Sequence, residues 1–143
     1  MDTHTFSILI QADKREIWNV LWEDTSFRDW ANLIDEGTYM KGKLEENGEV
    51  EFISAVNGYG VTSLVEELRP HEYVRFHHQA DTQDSGSDVR ADEWTGGTES
   101  YLLEESKEGV TLSMTLTIPA HQLPLFSDRV PKALTRIKEL AEA

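Results

Sequence analysis

The sequence predicts an α+β domain: a curved antiparallel sheet of about six or seven strands wrapped around one long C-terminal helix, with two short helices after strand one. Three observations predict it. Much of residues 37–118 reads as short alternating segments separated by Gly, Asn and Pro turns, the pattern of an antiparallel meander. In residues 123–143, Phe126, Val130, Ala133, Leu134, Ile137, Leu140 and Ala141 recur at steps of three and four, the spacing of one helical face. No other helical segment is long enough to cover the sheet. The two must pack together, and a curved sheet gripping one helix leaves space between them.

Residues 5–11 alternate, with Phe6, Ile8 and Ile10 on one face. Asp13 then offers an N-cap, and Glu16 three residues on makes a capping-box variant. Ile17, Val20 and Leu21 supply the buried face of this helix, with Trp18 and Trp22 one turn apart beside it. Asp24 or Thr25 caps a second, shorter helix carrying Phe27, Trp30 and Ala31. Strands at 37–44 and 49–56 flank Asn47-Gly48, a strong hairpin signal, and Val50, Phe52 and Ser54 share a face. Asn57-Gly58 turns the chain into a strand at 60–69, which Pro70-His71-Glu72 closes. Residues 73–78 run back, Val74 and Phe76 alternating against Tyr73, Arg75 and His77.

Residues 79–96 break the pattern. They are acidic, hold Trp94 as their one large apolar group, and read as a functional loop or a mobile insertion. Trp94 either caps a pocket mouth or anchors the loop. A hairpin follows, 98–106 and 110–118 across Lys107-Glu108-Gly109. Its second strand sets Val110, Leu112, Met114, Leu116 and Ile118 on one face and Thr111, Ser113, Thr115 and Thr117 on the other. Inside the terminal helix, Pro131 lacks an N–H and crowds the Ser127 carbonyl, which predicts a kink or a restart.

A chain of 143 residues, 38% hydrophobic and 28% charged, fits a single globular domain spanning residues 1–143. The net charge of −14 repels phosphate backbones and anionic lipids, so nucleic-acid and membrane partners are not expected. There is no cysteine, which excludes disulfides, thiolate metal sites and cysteine nucleophiles. The N-terminal residues lack the basic start and apolar run of a signal peptide, and no apolar run approaches a membrane span. Cytoplasmic location is the resulting expectation.

Three stretches resemble a known superfamily. They are Ala12-Asp13-Lys14-Arg15-Glu16-Ile17-Trp18 leading through Leu21 to Trp30; Val65-Glu66-Glu67-Leu68-Arg69-Pro70 followed by Val74-Arg75-Phe76; and Gly97-Thr98-Glu99 opening the last hairpin. Together they resemble the START-like, or Bet v 1-like (SRPBCC), superfamily, and within it the activator of Hsp-90 ATPase homologue-like branch. The resemblance covers nearly the whole chain and implies the helix-grip fold. Its motifs are patterns of residue class, so they specify fold better than function. The 79–96 segment and Pro131 depart from the pattern and bear on pocket shape.

Three functions are open. The first is binding of a hydrophobic small molecule, lipid- or polyketide-like, in an apolar cavity between sheet and terminal helix. Its expected lining is Phe52, Val74, Phe76, Met114 and Leu116 from the sheet and Phe126, Val130 and Leu134 from the helix. Trp22 and Trp30 would guard one end, and His78, in phase with Val74 and Phe76, would supply a polar contact. The same positions would equally make a filled core. The second is a co-chaperone-like or stress-response module that meets a chaperone or other protein, as the resemblance implies. The basic stripe Arg129, Lys132 and Arg136 could face an acidic partner, but reads as a solvated helix face. The third is an enzyme of the cyclase type, also implied by the resemblance, with His78 and Glu67 as its acid–base candidates.

No cofactor, metal site or catalytic signature is expected. The five histidines do not converge, and the neighbours His77 and His78 point to opposite faces of a strand. One of Glu66 and Glu67 must turn inward unless a bulge intervenes, and a salt bridge to Arg75 is the expected role. Ser85 and Ser87 lack a nucleophile-elbow context, and Gly58-Tyr59-Gly60 lacks the following helix of a phosphate cradle.

Overall fold

A computed structural model describes residues 1–83 and 93–143. Among them, seven strands form one antiparallel sheet: β1 (Asp2–Ile10), β2 (Thr38–Lys41), β3 (Glu49–Ser54), β4 (Tyr59–Arg69), β5 (Tyr73–Gln83), β6 (Thr98–Ser106) and β7 (Gly109–Ile118). Their order is β1-β7-β6-β5-β4-β3-β2, and the sheet curls into a half-barrel. The helices are α1 (Lys14–Trp22), α2 (Asp24–Ala31) and α3 (Leu123–Glu142), the last entered through a 3-10 turn, Ala120–Gln122. This is the helix-grip fold that the sequence predicts.

The core follows from alternation on the strands and the apolar stripe on α3. Val110, Leu112, Met114, Leu116 and Ile118 all face inward from β7 and are buried. Val130, Ala133, Leu134, Ile137 and Ala141 meet them from α3. On the outer face β1 and β7 are joined by hydroxyl pairs, Thr5 with Thr115 and Ser7 with Ser113, each at 3.0 Å. At its far end α3 also covers the β1 edge: Lys138 Nζ donates to the Leu9 carbonyl (3.1 Å) and Glu142 accepts from the Gln11 N–H (2.8 Å).

Several local expectations are sharpened or corrected. Asp13 caps α1 as expected, accepting the Glu16 N–H at 2.8 Å. The second helix opens one residue earlier than a cap at Asp24 would set, and two earlier than one at Thr25, because the extended Glu23 ends α1 and begins α2 at once. Asp24 then lies in the first turn, where negative charge meets the helix dipole, and pairs with Arg28 at 2.9 Å. A bulge between Val65 and Glu67 lets both glutamates avoid the inner face. Glu66 receives Arg75 Nε at 3.2 Å, the expected salt bridge, and also His77 Nδ1 at 2.7 Å.

The expected loop at 79–96 is shorter than that. Residues 79–83 continue β5, pairing with the Tyr59–Thr62 end of β4. Ladder bonds are made by the backbone, so polar side chains there do not end the strand. The middle of the segment, residues 84–92 with Ser85 and Ser87, lies outside the described residues. The helix does not restart at Pro131; α3 is continuous through it, with Pro131 on the exposed side. Nor is the basic stripe a purely solvated face. Arg136 clamps Asp29 of α2 through two bonds of 2.8 and 3.0 Å, and Arg129 donates to the Ile34 carbonyl at 2.9 Å. Only Lys132 stays within α3, on Asp128.

Candidate ligand cavity

The helix and sheet do not meet evenly. Towards its C-terminus α3 lies against the sheet and α1, while at its N-terminal end a cavity of about 520 Å³ remains. Phe27, Trp30 and Ala31 wall it from α2, and Ile34 from the turn that follows. Phe52, Val61, His78, Glu99 and Tyr101 wall it from β3, β4, β5 and β6. Trp94, Leu125, Phe126 and Arg129 close the side nearest α3.

Aromatic packing fixes the apolar wall. The Phe52 ring meets Phe27 at 5.9 Å and Phe76 at 5.1 Å between centroids, the second edge-on. Trp30 stands edge-on to Phe27 at 5.1 Å, and its indole N–H donates to the Val20 carbonyl at 3.2 Å. That bond leaves the ring, not a polar edge, as its contribution to the cavity.

The most deeply buried polar groups of the wall come from the β5–β6 ladder. Phe76 pairs with Glu99, and the His78 N–H donates to the Gly97 carbonyl, so His78 and Glu99 share the inner face. His78 Nδ1 lies 2.7 Å from Ser63 Oγ. Burial pushes its pKa down to about 4, against the pull of the Asp81 charge, so the ring is neutral at pH 7. Burial pushes Glu99 up to about 7, although the Tyr101 hydroxyl donates to it and favours the carboxylate. Burial and the Glu99 charge together hold Tyr101 well above the usual phenol range. This part of the wall therefore offers neutral or half-ionised hydrogen-bonding groups set among rings.

The rim is built by Asp81. Its carboxylate accepts the N–H groups of Glu93, Trp94 and Thr95 at 3.1, 2.9 and 3.0 Å, and the Thr95 hydroxyl at 3.0 Å. This fixes Trp94 over Phe126, with ring centroids 5.2 Å apart. Glu93 reaches His121 Nε2 at 3.3 Å, tying the same segment to the turn before α3. Trp94 thus stands on the cavity wall and also packs the segment onto the helix.

The residues expected to line a cavity divide into two groups. Trp30, Phe52, His78 and Phe126 stand on the wall. Trp22 lies behind it, packed on Trp18, Phe27, Phe76 and Tyr101, with its indole nitrogen buried and unpaired among the described residues. Val74, Phe76, Met114, Leu116, Val130 and Leu134 are core residues, each at most 4% exposed. Sequence reasoning missed Glu99 and Tyr101 as wall residues. The available signal was their phase: both fall on the face of β6 that buries Leu103. His78 and Glu67 do not form an acid–base pair, since Glu67 is exposed and bonded to Arg69 at 3.2 Å. No cluster of three or more potential metal ligands occurs among the described residues. No helix there is long and apolar enough to cross a membrane.

No family model matches the sequence, and no curated protein does. Solved structures do match by fold. The Aha1 dimer from Colwellia psychrerythraea superposes with a TM-score of 0.73 at 19% identity, covering 99% of this chain and 97% of that one. An AHSA1-like protein from Aeromonas hydrophila gives 0.68 at 11% identity, over 99% and 92% of the two chains. A putative protein in the dynemicin biosynthetic locus gives 0.69 at 11% identity, over 100% of this chain and 48% of that one.

Proposed function

We propose, for a chain with the helix-grip fold of the AHSA1-like proteins of the SRPBCC superfamily, that it binds a hydrophobic small molecule of lipid- or polyketide-like character. One observation carries the reading: a cavity of about 520 Å³, walled by aromatic rings interspersed with polar and charged groups, opens between the sheet and α3. That volume lies within the roughly 300–1,000 Å³ of small-molecule sites, and aromatic surface beside polar groups that can orient a ligand suits such a site. A neighbour in fold that comes from a biosynthetic locus is in keeping with a small-molecule role. The ligand would sit between Trp30 and Phe52 on one side and Trp94 and Phe126 on the other, with Tyr101 and His78 as hydrogen-bonding partners.

A protein-docking role is less favoured by what α3 presents, because Arg129 and Arg136 bond to other parts of the fold and Lys132 alone of the stripe stays at the surface, on Asp128. The test is titration with Nile red, a neutral dye whose emission rises and shifts to the blue in apolar surroundings. The wild type should bind it saturably at a single site, and Val61→Phe, which fills the wall, should weaken that binding. Absence of saturable binding, or binding untouched by Val61→Phe, would contradict the reading.

A further inference from the structure

We propose that the ligand of this cavity is a lipophilic amine, its ammonium received by Glu99 among the aromatic rings. The inference rests on the cavity-binding reading above and names the chemical class of ligand. Glu99 stands on the inner face of β6, opposite Phe76 in the ladder and two residues from Tyr101. Phe27, Trp30, Phe52 and Tyr101 share the cavity wall with it. Aromatic faces carry partial negative charge, and a cation within about 6 Å of a ring centroid is attracted to them. A carboxyl group among such rings suits a cation and repels an anion.

The state of Glu99 fits that role. Burial makes its charged form costly, and among the described residues no cation pairs with it and the Tyr101 hydroxyl is the one side-chain donor that offsets this. An ammonium would supply the missing charge and draw the carboxyl to its ionised form, in a setting where charge-assisted hydrogen bonds are strong.

The other charged groups on the wall agree. Asp35 and Glu93 are carboxylates on the same wall, Glu93 lying 3.3 Å from His121 Nε2. Arg129 is the one guanidinium on the wall among the described residues. It also borders the outer groove beside Asn32, Asp128 and Lys132, and it donates to the Ile34 carbonyl, so its charge stays at the rim. His78 contributes no positive charge at neutral pH. A neutral alcohol would fit without the ion pair, and a carboxylate would meet repulsion.

Three probes of one skeleton test this by isothermal titration calorimetry near pH 8: 2-naphthylmethylamine, 2-naphthylmethanol and 2-naphthoate. The amine should bind about tenfold or more tighter than the carboxylate, with the alcohol between. Glu99→Gln, of nearly equal size, should remove most of the amine's advantage over the alcohol and leave alcohol affinity within about twofold. Glu104→Gln, which neutralises an exposed residue of the same strand, should change neither and so controls for the overall negative charge. Thermal melts of both variants establish that they fold. Equal affinity for the three probes, or equal losses in the two variants, would overturn the amine assignment while the cavity reading stands. If no probe binds the wild type, the cavity reading falls and the amine assignment with it.

Discussion

The Asp81 carboxylate accepts the Trp94 backbone N–H at 2.9 Å, and through that bond and its neighbours it sets the rim of the cavity. Hydrogen bonds to a charged acceptor are worth about 1.5–3 kcal/mol each, but these are shared and partly exposed. Asp81→Ala should therefore lower stability by about 1–2 kcal/mol. It should also free Trp94 from Phe126 and speed both entry and exit of a bound dye. Chemical denaturation and stopped-flow fluorescence read the two effects; unchanged rates would show that Trp94 does not gate the mouth.

His78 and Glu99 make opposite contributions to the pH dependence of folding. His78 has its pKa lowered from 6.5 to about 4 in the fold, so its contribution is complete above pH 6.5 and is lost as pH falls towards 4. Glu99 has its pKa raised from 4.5 to about 7, so its contribution is complete below pH 4.5 and is lost as pH rises to 7. Each shift corresponds to on the order of 3 kcal/mol. The stability difference between wild type and Glu99→Gln should therefore fall as pH rises from 4.5 to 7. The difference between wild type and His78→Gln should rise over 4 to 6.5. Parallel slopes in the two comparisons would contradict the burial of one or the other.

Pro131 sits exposed within a continuous α3 and removes one N–H from its ladder. Surrounding packing holds the helix together: Val130, Ala133 and Leu134 are all buried beside it. Pro131→Ala should raise stability by about 1–3 kcal/mol, seen as a higher thermal midpoint. A lower midpoint would mean that the proline sets a geometry the core depends on.

Gly60 of β4 pairs with Ile53 of β3, hard against the Phe52 backbone. A Cβ placed there would stand 1.9 Å from the Phe52 carbonyl oxygen, an impossible contact that only strand movement relieves. Gly60→Ala should destabilise the protein by about 1–3 kcal/mol and displace Phe52 on the cavity wall. Urea denaturation measures the first effect, and weaker dye binding by the folded variant the second.

Much of the fold was legible because the deciding signals are local. The alternation along Val110–Ile118, the Asp13 cap and the apolar stripe of α3 each name an element and its buried face. The errors arose where backbone or packing decides. Strand β5 runs into polar residues because β4 offers it a partner, and the α1–α2 junction falls at Glu23 because the chain turns there without a side-chain cap. The cavity was legible only in outline. Phe126, Val130 and Leu134 lie on one stripe, yet Phe126 alone stands on the wall; periodicity cannot tell which turn of a helix sits away from the sheet. Glu99 carried a readable phase but an unexpected chemistry, since acids at apolar positions are rare.

The most direct measurement is a map of NMR chemical-shift changes as 2-naphthylmethanol, a neutral probe, is added to the isotopically labelled protein. Binding in the cavity predicts saturable shifts confined to its wall, led by the indole N–H groups of Trp30 and Trp94 and by the amides of Phe52, Tyr101 and Phe126. Shifts on the outer face of the sheet around Ser7 and Thr115, or no saturable shifts at all, would contradict it.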